Sequence, residues 1–208
     1  MASISSRTLL FFVQGERPGV YLTALDRNGE RERIADASAD AAYVPPQGTA
    51  PGYVLMVQGD SLVAQPFDAD AMRVTDYPVY PSDWSLDGKF LLYMQDSPGH
   101  GFDVWALSLE HAGHGTPILQ STAAEKHGGF SPNSQFIAFT SDESGRDEVY
   151  IQKFSDPTTK RRVSTNGGGY PRWSRKGNDL FFGRSMANWW RCPSGSTGPP
   201  RSSEIRGS

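Results

Sequence analysis

Disulfide chemistry is absent from this chain: Cys192 is its one cysteine, so no internal bridge can form. No apolar run approaches the roughly 18 residues that would cross a bilayer as a helix. The apolar segment nearest the N-terminus, Thr8-Leu9-Leu10-Phe11-Phe12-Val13, is strand-sized and no small-residue cleavage site follows it. It reads as a strand, and no signal peptide is expected. Excess positive charge is also missing. The formal net charge is -3, and the short basic patch Lys160-Arg161-Arg162 does not alter that balance. A general electrostatic grip on nucleic acid is therefore excluded. Helical periodicity is lacking too. Residues Ala35 to Ala42 are Ala-rich but span about two turns without an apolar stripe.

What the chain does have is aromatics, at 12%, with Gly 22 and Pro 15 in 208 residues. Aromatics favour strands, and Gly and Pro favour turns. An internal repeat organises them. Trp84-Ser85-Leu86-Asp87-Gly88-Lys89-Phe90-Leu91-Leu92-Tyr93 recurs as Phe130-Ser131-Pro132-Asn133-Ser134-Gln135-Phe136-Ile137-Ala138-Phe139. It recurs again as Trp173-Ser174-Arg175-Lys176-Gly177-Asn178-Asp179-Leu180-Phe181-Phe182. The spacings are 46 (84 to 130) and 43 (130 to 173) positions. Each copy reads as a hairpin: an aromatic and a Ser end one strand, a polar turn follows, and an apolar run begins the next. A second signature keeps the same period, with Phe102-Asp103-Val104-Trp105 matched by Asp147-Glu148-Val149-Tyr150, 45 positions later (104 to 149). A period near 45 accommodates about four strands with their turns, one blade of a β-propeller.

Weaker copies lie upstream, at Gly19 to Asp26, Ala41 to Val44, Tyr53 to Val57, Leu62 to Phe67 and Met72 to Val74. The predicted fold is all-β, a propeller of four-stranded antiparallel blades. It has about four blades in a shortened or incomplete ring. Residues 1–7 are expected to be a flexible N-terminus, 8–184 the blades and 185–208 a disordered tail. The first unit is expected to start at its second strand, because no aromatic-Ser segment precedes Thr8. Tyr170 to Ser174 is one candidate to complete that unit and close a small ring. A fragment of a larger propeller is the preferred reading, and an open arc would expose edges that promote self-association.

These motifs resemble the TolB-like, WD-repeat-like propeller repeats of bacteria. The resemblance is strongest over Gly129 to Phe182, with Phe130-Ser131-Pro132-Asn133, Ser141 to Tyr150 and Ser164 to Ser174. It extends over roughly residues 8 to 183 and is similar to the C-terminal sensor half of bacterial transmembrane serine/threonine protein kinases and related transcriptional regulators. It implies an extracytoplasmic, periplasmic binding role, with kinase chemistry on a separate domain. The chain itself has no Gly-rich phosphate loop, His-Arg-Asp or Asp-Phe-Gly motif.

No constellation converges on chemistry, so no catalytic, cofactor-binding or metal residue is assigned and the chain is expected not to be an enzyme. Gly59-Asp60-Ser61-Leu62 comes nearest to a nucleophile elbow and fits a hairpin turn better. His111 and His114, beside Glu110, lie in a Gly-rich loop without two further zinc ligands. Asp68-Ala69-Asp70 lacks the Gly and distal Glu of a calcium loop. His127, next to Gly128-Gly129, reads as structural, and Asp142 to Glu148 as a solvated hairpin. Trp84, Phe130 and Trp173 are expected to pack between blades. Trp189 and Trp190 fall outside the repeat. The expected function is a non-catalytic binding or scaffold module for an unknown protein or small-molecule ligand, without a cofactor. The rival is an accessory sensor or gating fragment of a larger enzyme, a kinase or a propeller-capped serine peptidase.

Overall fold

The repeated serine explains why the hairpins form where they do. In the computed structural model, Ser85 Oγ accepts from the amides of Lys89 and Phe90 at 3.1 and 2.9 Å and donates to Asp87 Oδ1 at 2.7 Å. Ser131 Oγ likewise accepts from Phe136 N at 2.9 Å and donates to Asn133 Oδ1 at 2.7 Å. Ser174 Oγ accepts from Asp179 N at 3.1 Å. The backbone closes each turn identically, with Gly88, Ser134 and Gly177 donating to the carbonyls of Ser85, Ser131 and Ser174 at 2.9, 2.8 and 2.9 Å. All three donors are left-handed, at φ 74°, 56° and 72°. Glycine adopts that conformation freely, whereas Ser134 does so against the Cβ penalty.

The structure describes residues 2–3, 8–24, 30–46, 51–75, 77–99, 101–110, 115–177, 179–185 and 188–193. Every regular element among them is a strand. The chain divides into two units, Met1–Pro81 with Ala112–His114, and Ser82–His111 with Gly115–Ser208.

In the first unit, β1 (Ala2–Ser3), β2 (Thr8–Val13), β3 (Gly19–Ala24) and β4 (Arg31–Ala35) form one antiparallel sheet in chain order. Next come β5 (Ala42–Val44), β6 (Gly52–Gln58), β7 (Ser61–Asp68) and β8 (Arg73–Val74), again each paired with its neighbour. Val79, at the start of β9 (Val79–Trp84), pairs with Ala64. Alternation places Val54 and Met56 of β6 inward. They share a core with Leu10, Val20, Leu22, Val63 and Phe67.

In the second unit, the sheet order is β9, β10 (Phe90–Ser97), β11 (Gly101–Ser108) and β12 (Thr116–Leu119). Then follow β13 (Glu125–Phe130), β14 (Phe136–Ser141), β15 (Glu148–Lys153) and β16 (Asp156–Arg162). A three-stranded sheet, β17 (Gly169–Trp173), β18 (Asp179–Ser185) and β19 (Asn188–Pro193), comes last. Leu92, Val104, Phe130, Ile137, Phe139 and Tyr150 form one core cluster, and Val149, Ile151, Val163, Leu180 and Phe182 belong to another. Repeat-equivalent positions therefore recur in packing, as stacked copies of one supersecondary unit require.

Four expectations need correction. The first sheet is not missing its first strand: β1 supplies it, pairing Ala2 with Leu10 and Ser3 with Leu9. The place reserved for Tyr170 to Ser174 in that sheet is thereby filled, and β17 heads a sheet of its own. Within the segment 185–208, Asn188–Pro193 forms β19, in which Trp190 pairs with Phe182, Cys192 is buried, and both join the third core cluster. Residues 194–208 lie outside the described residues. Finally, Trp84 is 59% exposed, whereas Phe130 is 6% exposed. Phe154 accounts for the contrast, since its ring meets Phe90 and Phe130 edge-on at 5.0 and 5.1 Å. The equivalent residue in the sheet of Trp84 is Leu109, itself exposed. Trp173 is intermediate, with its indole N–H donating to Gly129 O at 3.2 Å.

Two measurements follow from this packing. Phe130→Ala is expected to cost about 3–5 kcal/mol and Trp84→Ala less than about 0.5 kcal/mol, the ranges for a buried ring and a surface site. Equal shifts in chemical denaturation would contradict the assignment. Ser134→Gly is expected to stabilise the fold by about 0.5–1 kcal/mol and so to raise the unfolding midpoint, because glycine relieves the left-handed strain. A fall in the midpoint on thermal unfolding would mean that the Ser134 side chain matters more than its backbone.

Candidate recognition site

Two bulky residues with left-handed backbones stand at one repeat position. His127 lies three residues before Phe130, and Tyr170 three before Trp173. Their φ angles are 56° and 55°. Each sits in an irregularity of its strand: the β13–β14 register shifts between Lys126 and Gly129, and the β17–β18 register between Gly169 and Arg172. Such bulges re-aim side chains, and bulky residues persist there only when their surroundings hold them. The amide of His127 is turned to Met94 Sδ at 3.0 Å, and that of Tyr170 to Thr140 Oγ1 at 3.2 Å. The two rings then meet at 4.0 Å between centroids, tilted by 33°.

This pair combines a wet and a dry end. Tyr170 is 50% exposed, while the Nδ1 of His127 is buried without a hydrogen-bond partner. Burial lowers the His127 pKa to about 4, and the cations Lys126 and Arg172 push the same way against Asp147. The imidazole is therefore neutral near pH 7. Lys126 is held by Asp147, both carboxylate oxygens lying 3.0 Å from Nζ. Arg172 donates to its neighbour's carbonyl, Pro171 O, at 3.1 Å.

Beneath this surface the acidic turn departs from a merely solvated hairpin. Glu148 is fully buried. It accepts from Arg146 Nε and Gly167 N, both at 2.8 Å, and from Ser164 Oγ. Arg146 also donates to Thr165 O at 2.7 Å. Burial alone would raise the Glu148 pKa, yet the three hydrogen bonds and the guanidinium charge together bring it below the usual carboxylate range. Asp142 Oδ1 accepts from Ala124 N at 2.9 Å, and Glu143 pairs with Lys160. These acids fasten loops to sheets. The signal that could have revealed Glu148 was its repeat position, since Asp103 also directly precedes a core Val.

The other sequence candidates do not join the site. Ser61 is exposed beside the two-residue Gly59-Asp60 turn of the β6–β7 hairpin. Asp68 Oδ1 caps its own turn, accepting from the amides of Asp70 and Ala71 at 2.9 Å. His111 and His114 lie outside the described residues. Among the described residues no three His, Cys, Asp or Glu side chains are grouped to hold a metal ion.

Comparison with known proteins places this geometry in a fold class. No family model and no curated protein matches the sequence. Solved structures do. A protein assigned as TolB from Agrobacterium tumefaciens aligns at TM-score 0.52 and 17% identity, over 90% of this chain and 73% of that one. TolB from Acinetobacter baumannii aligns at TM-score 0.55 and 13% identity, over 98% of this chain and 53% of that one. The fold is thus a TolB-like β-propeller. The chain spans only about half the length of the second relative.

The neutral His127 gives a pH test. Its folded pKa lies below the ordinary value of 6.5, so only the unfolded chain takes up this proton between about 6.5 and 4. Stability linked to His127 is therefore full above that window and is lost as pH falls through it. His127→Asn, which tolerates the left-handed backbone, is expected to flatten this part of the stability profile. An unchanged slope in denaturation midpoints from pH 7 to 4 would exclude His127 as its source.

Proposed function

We propose that the chain is a non-catalytic recognition module that binds a protein or small-molecule ligand where His127 and Tyr170 stand. The observation that carries this reading is the pair of rings in contact on left-handed backbones at equivalent positions of β13 and β17. Strain of this kind, retained at two copies of one position, marks sites where orientation of the side chain matters. The half-exposed Tyr170 offers a rigid amphipathic contact at low entropic cost. Arg172 adds a charge two residues along the same strand, and none of the ion pairs among the described residues includes it. Rigid sheets presenting irregular segments are the usual setting for recognition.

The TolB-like fold supports an extracytoplasmic setting, and a role as the sensor part of a larger protein would use the same surface. A peptide array probed with the wild-type chain and with Tyr170→Ala tests the reading. Peptides retained by the wild type are expected to be lost, tenfold or more in affinity, by the variant at unchanged thermal stability. Equal retention by both proteins would overturn the site. Hydrolytic turnover abolished by Ser61→Ala would overturn the non-catalytic role.

A further inference from the structure

The acid of the third strand is satisfied in one sheet and stranded in another. Glu148 of β15 meets a guanidinium, a hydroxyl and an amide, as described above. Its counterpart in β11 is Asp103, and the position matching Arg146 is Gly101. Opposite β11, the position matching Gly168 is Glu125, so an acid stands where the next copy has a glycine.

Asp103 and Glu125 belong to facing stretches of one interface. A Cβ on Gly101 would lie 3.0 Å from Ala124 Cβ, and one on Gly128 would lie 3.0 Å from Val104 Cγ1. These two close approaches bracket Asp103 on β11 and Glu125 on β13. Both acids are 1% exposed. Ser97 Oγ donates to Asp103 Oδ2, and Ser121 Oγ to Glu125 Oε1 at 2.6 Å. Asp103 Oδ1 and Glu125 Oε2 are buried with no hydrogen-bond partner. None of the ion pairs among the described residues includes either acid. The other charges acting on Glu125 are Lys160 and Glu143, which pair with each other.

Two buried carboxylates, each with an orphaned oxygen, are costly unless something neutralises them. Both acids are closed to a partner's side chain, whereas their two free carboxylate oxygens and the hydroxyls of Ser97 and Ser121 supply hard donors for a cation. We propose that Asp103 and Glu125 form a calcium site between the β9–β12 and β13–β16 sheets, with the hydroxyl oxygens of Ser97 and Ser121 as further ligands. All four donors are hard oxygens. Calcium accepts irregular sets of six to eight such ligands, completed by water, whereas magnesium demands near-ideal octahedral geometry. Two carboxylates place the site in the weak range, with Kd of about 10⁻⁴–10⁻³ M.

Titration calorimetry on chelator-stripped protein, with calcium chloride and in parallel magnesium chloride, tests the site. One calcium per chain is expected to bind at that affinity, at least tenfold more tightly than magnesium, and to raise the unfolding temperature. Asp103→Asn and Glu125→Gln are each expected to weaken binding at least tenfold. The wild-type titration stands even if a variant fails to fold. Absence of calcium binding by the wild type overturns the proposal, as does binding that both variants retain. A shared proton in place of the ion would appear as stability that falls as pH rises from 5 to 8, insensitive to calcium and abolished in Glu125→Gln. That outcome also overturns it.

Discussion

Capture of the next strand's opening amide by a serine hydroxyl at the head of each hairpin is the constraint from which the second unit is assembled. Ser85 and Ser131 are removed from solvent, yet their hydroxyls accept from the amide that opens the next strand. A buried amide at that corner would otherwise lack a partner, at a cost of about 1–3 kcal/mol each. Because the serine directly follows one strand and binds the first amide of the next, it also fixes the register of the pair. Register in turn decides which face of β10, β14 and β18 is apolar, and so where Leu92, Ile137 and Leu180 are buried.

The sheets are joined by a second set of interactions that differ from copy to copy. Phe130 N donates to Asp83 Oδ2 at 2.7 Å, tying β13 to β9. Trp173 Nε1 donates to Gly129 O, tying β17 to β13. Glu148 ties β15 to the loop before β17 through Gly167 N. The same strand position thus holds a neutralised acid in one interface and a stranded pair in the next. A rigid repeat permits that variation because each sheet contacts only its neighbours. His127 and Tyr170 exploit the same latitude, since left-handed strain in β13 and β17 does not disturb the hairpin lock a few residues away.

Much of this was legible in the residues. The aromatic-Ser signature and the Val104 and Val149 spacing located the hairpins and the buried third strands. The Gly59-Asp60 segment was legible as a hairpin turn. Trp84 was not legible, because its burial depends on whether Phe or Leu follows the third strand of its own sheet, a contact between segments far apart in the chain. Neither was β19: Asn188-Trp189-Trp190-Arg191-Cys192-Pro193 lacks the repeat signature, and it is ordered by pairing with β18 and by the core beneath Trp190 and Cys192. The short β1 was hidden for the same reason, being two residues whose partner Leu10 carries the apolar signal.

Period, turn chemistry and alternation are local properties, so the sequence by itself determined an all-β repeat, its hairpins and the positions of its central strands. Which side chains meet is a property of neighbouring sheets. Only the tertiary structure therefore decided that the ring of His127 meets that of Tyr170, that Glu148 is neutralised and that Asp103 and Glu125 lie on facing stretches. The ring pair joins two strands, the acid pair two facing stretches, and Glu148 the turn before β15 to the loop before β17, through bulges and close approaches that a one-dimensional period does not encode.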